Sequence, residues 1–372
     1  MNVLSLFDGI SCGQLALTKA GIKYNIYYAS EIDKYAINVT MKNFPNTVQL
    51  GSVTNVTAEQ LQNIDLLIGG SPCTNFSFSG KRKGMTTTFG EEVTTLERYL
   101  ELKHEGFQFE GQSYLFWEYA RILNETKPKY FLLENVVMHK KWEAIITKTL
   151  GVDPIMINSS LVSAQNRKRL YWTNIPNVTQ PEDKGITWGD VRERGVNCDS
   201  YYYTQNAMQW LARSSRKREK VLTVHNDTDK MQMLEASHCK KYSNQRFFGI
   251  PDLPTNEQSI ASMRGRFLVD GKSQDGKMSI AGLGKQYVEF RYDGKSNCLS
   301  TVGKDNIVVP FTLPNRIPVD EFFFRYITPL ECERLQTVPD GYTDCCSSTQ
   351  RYRQLGNGWT VDVISHIFNN IK

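Results

Sequence analysis

The chain has 372 residues, of which 40% are hydrophobic and 22% are charged, and its formal net charge is +5 at pH 7. This length and composition allow one large domain or two ordinary ones, and they exclude a disordered chain. No stretch approaches the roughly 20 consecutive apolar residues that span a bilayer, and no charged leader precedes the first strand. We therefore expect a soluble protein in the cytoplasm.

The cysteine spacing bears on a zinc site, and the charge distribution bears on a contact with a polyanion. None of the eight cysteines falls into CxxC spacing, so a zinc site is not expected, and most of these thiols are predicted to be buried. Between Trp210 and Ile250, nine Lys and Arg residues stand against four acids, a surplus that equals the +5 of the whole chain. Either a solvated charged surface or a contact with a polyanion explains this run.

The first half of the chain alternates short apolar runs with amphipathic, helix-length stretches, which predicts a mostly parallel sheet covered by helices. The runs predicted as buried strands are Val3 to Phe7, Tyr27 to Ala29, Leu66 to Ile68, Tyr130 to Leu133 and Leu170 to Trp172. In open sheets of this kind, ligands bind beyond the carboxyl ends of the strands. The residues next to each run are therefore the candidates for chemistry.

The first strand leads through a glycine-containing turn, with Gly9 and Gly13, into a helix predicted over Leu15 to Ala20. Glycines let the backbone turn sharply beside a ligand, and a helix N-terminus offers free N–H groups to an anion. The spacing does not match GxGxxG, so a purely structural turn explains it about as well.

The second strand ends at Glu31, where an acid can accept hydrogen bonds from the ribose hydroxyls of an adenosine-containing cofactor. The alternative is that Glu31 to Asp33 only opens the following helix, predicted to run through Val39. NAD and S-adenosylmethionine both fit these residues.

The third strand runs into Gly70-Ser71-Pro72-Cys73. Proline fixes one backbone dihedral, so Cys73 on this loop is a candidate for an exposed, oriented thiol nucleophile, although a cysteine of unknown context is more often buried. The fourth strand delivers Glu134 to the same edge, where a partly desolvated carboxyl could share a proton with a ring nitrogen. The alternative there is a helix N-cap role for Asn135, with Glu134 only flanking it.

Arg167 and Arg169 precede the last predicted strand of this half. Two arginines spaced two apart on an extended segment point to the same face, where they could hold a base carbonyl, a phosphate or a carboxylate. Beyond about residue 180 the segments become short and polar, with an Asp-Gly turn signal at Asp270-Gly271, which predicts a second, loop-rich region. A helix is predicted again after Thr328, with a cap, a first-turn proline and an acid.

Seven segments stand in a distinctive order along the chain: FDGISCG, SEID, GGSPCTNFSFSGKRKG, ENV, QNRKR, RYITPLECERLQTVPDGYT and RQLGNGWTVDVI. In this order the chain resembles the C5-cytosine DNA methyltransferases, over nearly all of its length except about residues 180 to 290. The FDGI and SPC segments are also similar to those of the animal de novo DNA methyltransferases.

The resemblance implies an α/β, Rossmann-like, S-adenosylmethionine-dependent methyltransferase fold with an inserted, loop-rich target-recognition domain. The implied domains are a catalytic domain at 1–180, the recognition domain at 181–322 and a C-terminal segment at 323–372 that completes the catalytic domain. The implied activity is transfer of a methyl group from S-adenosylmethionine to C5 of a cytosine flipped out of duplex DNA, which leaves S-adenosylhomocysteine.

Residue roles follow from the same resemblance. Cys73 would attack C6 of cytosine with Pro72 placing it, Glu134 would bind N3 and N4, and Arg167 and Arg169 would contact the base and brace the site. The residues implied to surround the cofactor are Phe7, Asp8, Gly9, Ile10, Gly13, Glu31, Ile32, Ser52, Asn357 and Trp359. The residues implied to contact DNA are Ser77, Lys81, Arg82, Lys83, Arg216, Lys217, Arg218, Arg264, Arg266, Ser300 and Thr301.

Double-stranded DNA is the implied partner, and a cognate restriction enzyme is a further candidate partner. The resemblance also implies a monomeric enzyme in the cytoplasm of a prokaryotic or phage-infected cell. It implies neither a metal nor a membrane. Three alternatives remain open: an RNA pyrimidine methyltransferase, a non-catalytic DNA-binding relative and an NAD-dependent dehydrogenase. The dehydrogenase leaves Cys73, Glu134 and the two arginines without a joint role.

Three positions depart from the family pattern. Ser52 stands in a stretch where many relatives have an acid that binds the adenine amino group. Ser11 replaces a common glycine, which is tolerated if its φ is negative. The stretch from Thr87 to Glu110 looks inserted and is a candidate for a DNA or partner contact.

Overall fold

The computed structural model describes residues 1–72, 85–109, 111–193 and 327–372, together with the backbone of five strands between 258 and 310. A sheet of seven strands forms the centre of the first part, in the order β3-β2-β1-β4-β5-β7-β6. Its strands are β1 Asn2–Leu6, β2 Ile26–Ser30, β3 Val48–Gln49, β4 Leu66–Gly70, β5 Tyr130–Val136, β6 Ile155–Asn158 and β7 Lys168–Thr173. All five strands predicted from the apolar runs are confirmed.

Within this sheet, β7 runs against the direction of the other strands. The first five strands pair in parallel, whereas β7 runs antiparallel to both β5 and β6. The start of β7 therefore lies at the edge where β5 ends, with Arg169 opposite Val136 in the register. The prediction of a mostly parallel sheet is confirmed. Because β7 is reversed, the QNRKR segment at its start lies at the same sheet edge as the ENV segment at the end of β5.

The helices of the described residues are α1 Cys12–Lys19, α2 Lys34–Asn43, α3 Leu96–His104, α4 Phe116–Thr126, α5 Lys140–Leu150, α6 Trp188–Val191, α7 Pro329–Leu335, α8 Ser348–Asn357 and α9 Val361–Phe368. Side-chain caps fix several starts: Asp33 accepts from the Tyr35 N–H before α2, and Thr328 and Glu331 form a capping box at α7. The predicted start of α7 is confirmed, whereas α1 begins three residues earlier than expected.

Two compact units divide the chain. The first unit comprises Met1–Asn158, Lys168–Pro181 and Val361–Lys372, and it contains the seven-stranded sheet. Its last helix, α9, packs on α1, where Lys19 and Asp362 form an ion pair at 2.6 Å. Apolar side chains on one face of the sheet, such as Leu67 and Leu133, are buried in a cluster with large side chains of the helices, such as Trp117.

The second unit comprises Ser159–Arg167 and Glu182–Thr360. It contains α6 to α8 and five strands: β8 Gln258–Arg266, β9 Leu268–Val269, β10 Lys272–Ser273, β11 Lys285–Glu289 and β12 Ile307–Pro310. Strands β11, β8 and β12 form an antiparallel sheet, and β9 pairs with β10 on either side of the Asp270-Gly271 turn signal. A functional division at residues 180 and 323 stays a prediction.

Within the described part of the chain, no helix is long and apolar enough to cross a membrane.

Candidate functional site

The turn between β1 and α1 has an unusual backbone. Phe7, Gly9 and Ser11 all take a φ of 59°, in the left-handed region that L side chains rarely adopt. Serine in place of a common glycine was expected to be tolerated if its φ is negative, and Ser11 does not meet this condition. Its hydroxyl accepts a hydrogen bond from Gln14 Nε2 at 2.8 Å, a local contact that accompanies the left-handed conformation at the N-cap of α1.

Gly13 lets α1 approach the sheet closely. A Cβ at this position would lie 2.4 Å from Ile68 Cδ1 and 2.6 Å from Tyr27 Oη, closer than real Cβ contacts. Ile10, in the same turn, is buried, and Phe7 is partly buried against the apolar core. The turn is thus shaped by packing beneath it as well as by its glycines.

Asp8 turns its carboxyl into the protein. Its Oδ1 accepts a hydrogen bond from the Tyr27 hydroxyl at 2.8 Å, while Oδ2 is buried without a partner of hydrogen-bonding geometry among the described residues. Desolvation raises the pKa of Asp8 to about 6, and the charge of Glu31 adds to the rise, whereas hydroxyls of Ser5, Ser11 and Tyr27 oppose it.

Glu31 joins the ends of β1 and β2. Its Oε2 accepts from the Gly9 N–H at 2.8 Å, and its Oε1 accepts from the N–H groups of Ile32 at 2.7 Å and Asp33 at 2.9 Å. Asp33 is the N-cap of α2, which agrees with the alternative in which Glu31 to Asp33 open this helix. Ile32 is 72% exposed beside Glu31, an apolar surface next to a fixed carboxylate.

Ser52 lies in a short loop that contacts the end of β2. The Ser30 hydroxyl, at the end of β2, donates to the Gly51 carbonyl at 2.8 Å. Ser52 caps a single 3-10 turn, Val53–Asn55, by accepting from the Thr54 N–H at 3.4 Å. The predicted cofactor residues of the first unit therefore come from three successive strand ends of one sheet edge.

The end of β5 is tied to the end of β4. Gly70 is opposite Glu134 in the parallel register, and Asn135 Nδ2 donates to the Ser71 Oγ at 3.0 Å and to the Ser71 carbonyl at 3.2 Å. His139, not Asn135, caps the following helix, so the alternative helix-cap role of Asn135 is wrong. Asn135 therefore links the ENV segment to the residues immediately before Pro72, which is partly exposed.

Glu134 and Arg169 form a buried ion pair across β5 and β7. Arg169 Nε lies 3.0 Å from Glu134 Oε1, and each side chain is 10% exposed. The guanidinium therefore fixes the position of this carboxylate.

Arg167 has different partners from Arg169, although the two were predicted to share a face. In the second unit it donates through Nη2 to the Gly358 carbonyl at 3.0 Å and through Nη1 to the Gly356 carbonyl at 3.4 Å. These carbonyls flank Asn357, which is exposed, and Trp359 follows with intermediate exposure.

Sequence reasoning missed the side chains that support these motifs. In the second unit, buried Gln336 donates to the Leu355 carbonyl at 2.6 Å and accepts from Thr360 at 3.0 Å and Gln165 at 3.2 Å. Asn135 was recognised as part of ENV but not as the link to Ser71. Their positions inside the quoted motifs were the available signal, since uncharged polar residues within apolar surroundings need partners.

Several predicted site residues lie outside the described residues: Cys73, Ser77, Lys81, Arg82, Lys83, Arg216, Lys217, Arg218, Ser300 and Thr301. Arg264 and Arg266 lie on β8, which is described as backbone only. Among the described side chains, no group of three or more His, Cys, Asp or Glu residues could hold a metal ion.

Comparisons with known proteins give independent evidence for the family. A family model, C-5 cytosine-specific DNA methylase, matches residues 1–372. The orphan methyltransferase M.SPRI of Bacillus phage SPR is 27% identical over 455 residues, covering 100% of this chain and 97% of the relative. The orphan methyltransferase M.SPBetaI of Bacillus phage SPbeta is 25% identical over 448 residues, with the same coverage.

Solved structures agree with the fold. The Entamoeba histolytica methyltransferase EhMeth superposes with a TM-score of 0.57 at 16% identity, covering 100% of this chain and 99% of that one. A putative DNA modification methyltransferase from an E. coli prophage gives a TM-score of 0.53 at 20% identity, covering 100% and 98%. At these identities the likeness shows the fold alone, and it confirms the α/β methyltransferase fold expected from the sequence.

Proposed function

The chain belongs to the C-5 cytosine-specific DNA methylase family and is a DNA cytosine methyltransferase, and we propose that it uses S-adenosylmethionine, base flipping and covalent attack by Cys73. The observation that carries the proposal is the joined edge of β4, β5 and β7. There the Asn135–Ser71 hydrogen bonds and the Glu134–Arg169 ion pair bring ENV, the start of the SPC loop and the end of QNRKR together.

The residues at the ends of β1 and β2 fit the cofactor. Glu31 is fixed by three backbone N–H donors, and since two carboxylate oxygens carry about four lone-pair sites, about one acceptor site remains for a ribose hydroxyl. Exposed Ile32 offers an apolar surface to a purine, and the left-handed turn around Gly9 brings backbone close to the ligand. S-adenosylmethionine supplies an electrophilic methyl group when bound there. The part of Asn357 and Trp359 in this site stays a prediction.

The chemistry needs a nucleophile because C5 of cytosine is unreactive until C6 carries an added group. Addition of the Cys73 thiolate at C6 turns C5 into an enamine carbon, which divides one difficult step into easier ones. After methyl transfer, loss of the C5 proton and elimination of Cys73 restore the aromatic ring and the free thiolate. Since C6 is inaccessible inside a duplex, the base must leave the stack, at a cost of a few kcal/mol.

Glu134 and Arg169 would act on the other edge of the base. Glu134 would accept from the N4 amino group and share a proton with N3, which draws electrons from C6 and favours thiolate addition. Arg169 holds the Glu134 carboxyl at 3.0 Å and so restricts its orientation. Arg167 binds the carbonyls of residues 356 and 358 within the second unit, and its contact with the base, which the resemblance implies, stays a prediction.

Bisulfite sequencing of DNA from cells that express the protein tests the proposal. We expect cytosines within one short sequence context to resist conversion, and we expect Cys73→Ser to abolish this protection while it preserves DNA binding. Cys345→Ser, which removes an exposed thiol elsewhere, is the matched control and should keep full protection.

The possible results separate the alternatives. Protection that survives in Cys73→Ser would refute covalent attack by this residue. No protection with wild-type protein, together with methylation of RNA from the same cells, would support the RNA alternative. No methylation of either nucleic acid, with DNA binding retained, would support a non-catalytic relative.

A further inference from the structure

Glu118, on α4, is a carboxylate with no exposed surface, and it is the centre of a charged cluster. Its Oε1 accepts from the Tyr99 hydroxyl and from Lys103 Nζ, both at 2.5 Å, and its Oε2 accepts from Arg121 Nη2 at 2.7 Å and Nε at 2.9 Å. A carboxylate so far from water is stable only when it is paired and hydrogen-bonded on both oxygens. The partners are therefore held in fixed positions.

The cluster extends to the loop that begins at Ser52. Arg121 Nη2 also donates to the Val56 carbonyl at 2.8 Å and to the Val53 carbonyl at 3.3 Å, and Lys103 Nζ lies 3.5 Å from the Thr54 carbonyl. The Val53 carbonyl also accepts from the Val56 N–H within the 3-10 turn, at 3.3 Å, whereas charged donors bind the carbonyls of Thr54 and Val56. Three carbonyls of this loop thus contact cations that Glu118 holds.

Two members of the cluster, Tyr99 and Lys103, come from α3, in the stretch that looks inserted relative to the family. Burial and the neighbouring Glu118 charge raise the pKa of Tyr99, so its hydroxyl stays protonated and donates. The outer surface of the same stretch is acidic, with five exposed carboxylates: Glu91, Glu92, Glu97, Glu101 and Glu105. Glu91 and Glu101 pair with Arg98 and Glu92 pairs with Lys141, so acids outnumber cations on this surface, which disfavours a contact with phosphates.

We propose that the Glu118 cluster is a positioning device for the cofactor loop, residues 51–56, and that the inserted α3 stretch serves cofactor binding through it. Arg121 fixes the backbone on the inner side of this loop, and Ser52 stands on the same loop beside the Ser30 and Glu31 end of β2. Ser52 would then meet the adenine edge in one orientation. This inference rests on the proposed use of S-adenosylmethionine.

The test measures cofactor affinity in two variants and one control. Arg121→Lys keeps the positive charge but loses the planar fork that reaches Glu118 and the Val56 carbonyl together. The double variant Glu118→Gln with Arg121→Met leaves no unpaired buried charge, which keeps it foldable while it removes the Arg121 donors to the loop. Arg98→Met is the control, because it removes a guanidinium of α3 that pairs with exposed Glu91 and Glu101 among the described residues.

We expect both cluster variants to weaken S-adenosylhomocysteine binding by about tenfold and to raise the KM for S-adenosylmethionine, with kcat at saturating cofactor and DNA affinity within about twofold. The loss should concentrate on the adenine ring. The wild-type preference for S-adenosylhomocysteine over its deaminated form, S-inosylhomocysteine, should shrink in the cluster variants and persist in Arg98→Met.

Other results would overturn the inference in distinguishable ways. An unchanged preference between the two ligands, with kcat and thermal stability reduced together, would mean a purely structural cluster. Weaker DNA binding with unchanged cofactor binding would make the inserted stretch a DNA contact. Wild-type protein that binds neither S-adenosylmethionine nor S-adenosylhomocysteine would instead refute the proposed cofactor, and this inference with it.

Discussion

At the residue scale, the buried carboxyl of Asp8, in the turn between β1 and α1, makes the stability of the protein depend on pH. Its folded-state pKa is about 6 and its ordinary value is 3.8, with desolvation as the main cause. Because the folded value is the higher one, the native protein binds the proton more tightly than the unfolded chain does. The stabilising effect of protonation is complete below pH 3.8 and is lost as the pH rises through 6.

Asp8→Asn should remove this pH dependence. The amide stays neutral, and its carbonyl can still accept from the Tyr27 hydroxyl. The difference in unfolding free energy, variant minus wild type, should therefore increase between pH 4 and pH 7 by up to about 3 kcal/mol. Urea unfolding across this range measures it. Asp153→Asn, at an exposed carboxyl, is the control, and a pH-independent difference for Asp8→Asn would contradict the argument.

Side-chain identity predicted some residue partners but not others. Glu31, Glu134 and Arg169 were placed at the correct strand ends because apolar runs define where strands stop. The left-handed φ of Ser11 was not predicted, nor were the different partners of Arg167 and Arg169. A loop dihedral and the direction of a long side chain depend on contacts distant in sequence, such as the carbonyls of residues 356 and 358, which spacing alone does not encode.

At the element scale, Gly13 controls how closely α1 packs on the sheet. Gly13→Ala should lower the unfolding free energy by about 1 to 3 kcal/mol, because the added Cβ would overlap Ile68 and Tyr27. Tyr27 is buried and bonded to Asp8, so it has little room to move. Removing the Ile68 Cδ1 atom in Gly13→Ala with Ile68→Val should recover part of the loss. Equal stability of wild type and Gly13→Ala in urea unfolding would refute the close-packing argument.

The order of elements was predictable, but the direction of one strand was not. Periodicity and apolar runs identify β7 as a strand without indicating whether it runs parallel to its neighbours. The reversal at β7 brings Arg169 to the end of β5, and only the pairing register reveals this. The role of α3 was equally hidden, since the partner of Tyr99 and Lys103 is a carboxylate on another helix.

At the scale of the whole molecule, the motif order predicted the α/β methyltransferase fold and the family, because motifs at successive strand ends converge on one edge of a sheet. The second half of the chain carries weaker periodicity, so its strands β8 to β12 were not predicted individually. Its strongest sequence signal is electrostatic: the whole positive surplus of the chain lies between residues 210 and 250.

That charge distribution makes DNA affinity a test of domain roles. If Arg216, Lys217 and Arg218 bind phosphates, replacing all three with alanine should weaken DNA binding and flatten the slope of log Kd against log salt, by about 0.9 for each phosphate that the variant no longer neutralises. The control replaces Lys19, Arg98 and Lys140, which form surface ion pairs with acids of the first unit, so that net charge changes equally. If DNA binds to the 210–250 run, the slope should become flatter in the first variant only. Equal slopes in both variants would mean that only the net charge of the protein matters and that the 210–250 run is solvated surface.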